Sequence, residues 1–89
     1  MKVKDKIVGR IEQKDIDACM IPLIALYDHP ADYPGYIVAR LWDESTPTNL
    51  VMVRRTEEEM HSAISKLEDA VYMKRQRNDD PVIIGVYFC

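Results

Sequence analysis

The chain has 89 residues, of which 47% are apolar and 30% charged, and a formal net charge of −3. That length carries one domain with a thin core, burying roughly 60% of the unfolded surface, and the composition lies well outside the weakly hydrophobic, highly charged range of disordered chains. An acidic total argues against indiscriminate attraction to nucleic acid or anionic lipid, and no apolar run approaches the roughly 20 residues that cross a bilayer.

The N-terminal stretch MKVKDKIVGRIEQKD scatters charges of both signs among its apolar positions and lacks the apolar block of a secretory signal, so a cytoplasmic location is expected. Val3, Ile7, Val8 and Ile11 recur at i, i+4, i+5 and i+8, which predicts a helix over 3–14. This belongs to an N-terminal helical segment, 1–19, ahead of a sheet–helix core over 20–89. MIPLIALY (20–27) is a continuous apolar run, as expected of a buried strand. YIVARLWD (36–43) and NLVMVRR (49–55) are rich in β-branched and aromatic residues and predict a hairpin, with ESTPT as its loop. Cys19 and Cys89 have no CxxC spacing and no third cysteine beside them, so free thiols are expected.

The clearest local signal is TEEEMHSAISKLEDAV. Thr56 with Glu59 three residues later forms a capping box, and three glutamates in the first turn suit the positive end of the helix dipole. Met60, Ala63, Ile64, Leu67 and Val71 then mark one apolar face of a long helix. KRQRNDDP ends it, and PVIIGVYF (81–88) predicts a last strand. The expected fold is α+β in the order α-β-β-β-α-β: a small, mainly antiparallel sheet of three or four strands packed on one long amphipathic helix.

An acidic turn containing proline, a VAR strand, PTN, a T-x-E-E helix start and NDDPVI together resemble a group of short, uncharacterised bacterial and prophage-type proteins. That resemblance implies no activity. More loosely, Tyr36–Ala39 and Thr56–Met60 are similar to the second strand and helix start of HicB-type antitoxins. This similarity implies a β-β-β-α-β topology, although the LPG turn of that family is missing here.

Chemistry has few footholds. YDHPADYPG (27–35) contributes Asp28, His29 and Asp32, and RNDDP contributes Asp79 and Asp80; if the two loops met, they would offer oxygen and imidazole ligands to a divalent ion. Asp, Pro and Gly are equally what a solvated turn requires, and the turn is the favoured reading. His61 stands four residues after Glu57, an ordinary surface pairing. No serine lies in a G-x-S-x-G elbow. Lys74, Arg75 and Arg77, with Arg54 and Arg55, are basic but interrupted by Glu57–Glu59 and Asp79–Asp80, so nucleic acid is not the expected partner. A small protein-interaction module without catalytic residues or cofactor is therefore favoured over metal-assisted or nucleic-acid-directed activity.

The middle strand frames the partner question. Ile37, Ala39 and Leu41 point one way, and the small Ala39 suggests that this side lies beneath the helix. Tyr36, Val38, Arg40 and Trp42 point the other way. Aromatic residues and arginine are enriched at protein contacts, so Tyr36, Arg40 and Trp42 are candidate interaction residues; the cover expected over that face is either the N-terminal helix, through its narrow stripe of Val3, Ile7 and Ile11, or a second copy of the chain in a homodimer, with an unidentified protein as a further partner.

Overall fold

The computed structural model describes residues 4–77 and 80–89. Its elements run β1 (Lys6–Ile7), α1 (Gln13–Asp17), β2 (Pro22–Asp28), β3 (Ile37–Asp43), β4 (Thr46–Arg54), α2 (Glu57–Ile64), β5 (Val71–Lys74) and β6 (Ile83–Phe88). The strands form one mixed sheet of six in the order β1-β4-β3-β2-β6-β5. Among the described residues only the β1–β4 pair is parallel.

The expected α+β fold, three or four strands on one long helix, is corrected: the chain is mostly β, with six strands and two short helices, and three segments account for the difference. A helix over 3–14 does not form across its described residues. Ile7 and Val8 are β-branched, Gly9 follows, and Lys6 and Ile7 pair with Leu50 and Val51 of β4. Helix begins only at Gln13, where the Glu12 amide donates to the Asp15 carboxylate at 2.9 Å. The hairpin loop shrinks to Glu44 and Ser45. Asp43 pairs with Thr46 and Trp42 with Pro47, so TPTN lies in the strand. Pro47 is tolerated because β1 reaches only Leu50 and Val51, which leaves that end of β4 an edge.

The long helix is the third correction. Half of the expected capping box is present: the Glu59 amide donates to Thr56 Oγ1 at 3.1 Å, while the Glu59 carboxylate accepts from the Thr56 hydroxyl and not from its amide, and Met60, Ile64 and Leu67 are all buried. Helix stops at Ile64, however. The Ser65 hydroxyl donates back to the Ser62 carbonyl at 2.7 Å, and Asp69 takes a left-handed φ of 57° that reverses the chain. Residues 71–74 become an edge strand instead. Val71 and Tyr72 favour extended backbone, and Tyr72 and Tyr87 sit opposite each other in the ladder with ring centroids 4.9 Å apart.

One sheet face carries the core. Ile24, Leu26, Ile37, Ala39, Leu41, Met52 and Tyr87 pack with Ile11 and Ile16 from the α1 region and with Met60, Ile64 and Leu67 from α2. Ile37, Ala39 and Leu41 thus lie on the helix side, as the alternation of β3 implied. No helix of the described residues is long and apolar enough to cross a membrane.

Candidate interaction surface

The second sheet face follows from register. Val71, Phe88, Leu23, Trp42 and Pro47 are successive cross-strand neighbours in one row, and Met73, Val86, Ala25, Arg40, Val51 and Ile7 form the next. Arg40 and Trp42 therefore share this face with an apolar surface that neither helix covers.

Half of it is closed by the chain itself. Asp5 ion-pairs with Arg40 at 2.9 Å, and the Tyr33 hydroxyl donates to the other oxygen of Asp5 at 2.8 Å. Arg40 also donates to the Thr48 carbonyl at 2.9 Å. Pro30, Asp32 and Tyr33 then form one wall of a 280 Å³ cleft floored by Tyr27, Val38 and Arg40. Under this cover Val38 and Val51 are buried. The Asp5 hydrogen bond is the main influence raising the Arg40 pKa, with burial opposing it. Arg40 is thus a charge held within the fold.

The other half, over β2, β6 and β5, is open. Val71 is 60% exposed, Met73 48% and Phe88 46%, and Met20 and Ile21 at the start of β2 are 92% and 50% exposed. The Met20 and Ile21 amides both donate to Asp43 Oδ1, at 3.1 and 3.0 Å. These two exposed apolar residues thus stand on an anchored backbone just before β2. Large apolar residues contiguous in this way mark contact sites more often than the same residues scattered singly.

The remaining candidates are dispersed. Asp28 and His29 touch at 2.5 Å and are both exposed. The Asp28 amide donates to the Val82 carbonyl at 2.7 Å, so the two acidic loops do meet at one end of the sheet. Asp80 uses its carboxylate to accept from the Val82 amide, Asp32 lines the cleft, and Asp79 lies outside the described residues. Among the described residues no three His, Cys, Asp or Glu side chains gather as metal ligands. Tyr36 is exposed, with the Arg55 guanidinium 6.0 Å from its ring centre. The basic residues divide between opposite edges: Lys74, Arg75 and Arg77 follow β5, while Arg54 joins Lys6, Arg10 and Lys14 around a 540 Å³ cleft that also holds Glu12 and Asp15.

Two groupings were not foreseen from sequence. His61 reaches inward as well as toward Glu57: its Nδ1 and the Tyr87 hydroxyl share a hydrogen bond, and Tyr72 meets its ring edge-on at 4.8 Å. Burial pushes the Tyr72 and Tyr87 hydroxyls above the usual tyrosine range. Cys19 and Cys89 are free thiols, as expected; burial is the main cause raising both pKa values, with Asp43 and Asp15 adding to it at Cys19 and Cys19 adding to it at Cys89. No family model matches the chain, and neither does any curated protein or solved structure.

Proposed function

We propose that this chain is a small protein-interaction module that docks through the open half of its second sheet face. The carrying observation is the row of Val71, Phe88 and Leu23 with Met73 beside it, left open while the other half of the same face is closed by Asp5, Arg40 and Tyr33. A partner would bury apolar area there at about 25 cal/mol per Å². Incorporation of benzoylphenylalanine at Phe88 and, separately, at Ser62 on the exposed side of α2 tests the reading. Photolysis in the source cell is expected to give protein adducts from position 88 and not from 62; equal or absent labelling from both positions would contradict it.

A further inference from the structure

We propose that the partner of the open face is a second copy of this chain, joined by antiparallel pairing of the two β5 edges about a two-fold axis. This rests on the interaction-module reading and specifies its occupant.

Three features of the edge make it complementary to itself. The first is backbone. β5 is the last strand of the sheet, bonded only to β6. The Arg75 amide donates to the Ile84 carbonyl at 3.0 Å, so by antiparallel alternation Val71 and Met73 also turn their amides and carbonyls inward to β6. Tyr72 and Lys74 turn theirs outward. A two-fold axis at Tyr72 places the two Tyr72 residues opposite each other as a hydrogen-bonded pair and puts Lys74 opposite the partner's Ala70.

The second feature is side chains. In that register Val71 faces the partner's Met73 on the open face, and Met73 faces the partner's Val71. Their rows already continue through Phe88, Leu23 and Val86, so pairing would join the two open halves into one apolar surface. Cross-strand apolar pairs of this kind are the stabilising unit of a sheet.

The third is charge, which selects a second copy over an unrelated strand. Before β5 the chain is acidic, with Glu68 and Asp69, and from the strand's last residue onward it is basic, with Lys74, Arg75 and Arg77; all five side chains are exposed. Antiparallel pairing lays the acidic end of each copy against the basic end of the other, with Arg75 beside the partner's Asp69. A parallel arrangement would set like charges together. The edge holds no proline and one charge, Lys74, which is exposed at the end of the strand, and the charges at its two ends define one orientation.

Charge exchange tests this on the full chain. Wild type is expected to sediment as a dimer at tens of micromolar and to dissociate as salt rises. Arg75→Glu alone and Asp69→Lys alone each create two like-charge contacts per dimer and should weaken self-association about tenfold or more. Mixed one to one, the two variants restore both opposite-charge contacts and should form a heterodimer of near wild-type affinity. Asp69→Asn replaces Asp69→Lys if the left-handed backbone at 69 rejects lysine, its mixture with Arg75→Glu then keeping one opposite-charge contact and no like-charge one, folding being checked by a cooperative thermal transition. A wild-type monomer at 100 μM overturns self-pairing and leaves the module reading to the photolabelling test. A dimer indifferent to either single reversal, or variants that fail to recover on mixing, overturns the β5 edge as its seam.

Discussion

Gly85 shows how little tolerance there is where β5 meets β6. A Cβ built there would stand 2.5 Å from the Tyr72 hydroxyl oxygen and 2.7 Å from the Met73 carbonyl oxygen. The second neighbour is backbone and cannot step aside, so Gly85→Ala is expected to cost about 1–3 kcal/mol by overpacking, read as a fall in the urea midpoint and a change in tyrosine near-ultraviolet dichroism. The tyrosines themselves set an alkaline limit. Burial raises the Tyr27, Tyr72 and Tyr87 hydroxyls, while the bond to Asp5 is the main cause for Tyr33. A raised native pKa means that the folded state holds its proton more tightly than the unfolded one. Its stabilising contribution is complete below about pH 10, the ordinary tyrosine value, and is lost as pH climbs through the native value. Urea midpoints should therefore be level just below pH 10 and fall above it, and Tyr27→Phe should flatten the fall. A slope of the opposite sign would show these hydroxyls to be easier to ionise in the fold than out of it.

Helix α2 separates local code from tertiary context. Its start is written in a few neighbouring residues, and Thr56→Ala, which orphans the Glu59 amide, should cost about 1 kcal/mol in chemical denaturation. An unchanged midpoint would place the helix start elsewhere. That part of the fold was legible in sequence, as was the inward parity of Ile37, Ala39 and Leu41. The helix end was not. Met60, Ile64 and Leu67 keep the helical stripe whether the chain continues as helix or turns at Asp69, because Leu67 reaches the core from the turn as well. What decides for strand is β6, whose pairing with Val71–Lys74 is set by residues distant in sequence. The interaction site was half legible for the same reason. Arg40 and Trp42 do lie on the second face, but the chain supplies them with Asp5 and with Tyr27, whose hydroxyl accepts from Trp42 Nε1 at 3.2 Å. The open surface moves to Val71, Met73 and Phe88, of which Val71 carries the helical stripe in the sequence. YDHPADYPG shows the converse: its Asp28, His29 and Asp32 are exposed as a solvated turn requires, while its Tyr33 folds back to help close the face.

At the scale of the whole molecule, the sheet is clamped in the middle and unequal at its edges. β2, β3 and β4 each have strand neighbours on both sides and contribute the core residues beneath the helices. β1 has two residues and β5 four, each with one neighbour. Local opening free energy follows buried apolar contact and shielded backbone bonds, so amide exchange should be slowest at Ile24, Leu26, Ala39, Leu41 and Met52 and fastest along the edges. Within β5 the same geometry predicts an alternation. Val71 and Met73 amides bond inward to β6, whereas Tyr72 and Lys74 amides face outward and exchange quickly in an isolated chain. Edge pairing would protect Tyr72 and Lys74 as protein concentration rises from about 1 μM to 100 μM, the range over which a micromolar dimer fills, with little change at Val71 and Met73 or at the opposite edge in Ile7. Protection that grows with concentration at Ile7 instead would move the contact to β1, and flat rates at all four β5 amides would mean that the edge remains in water.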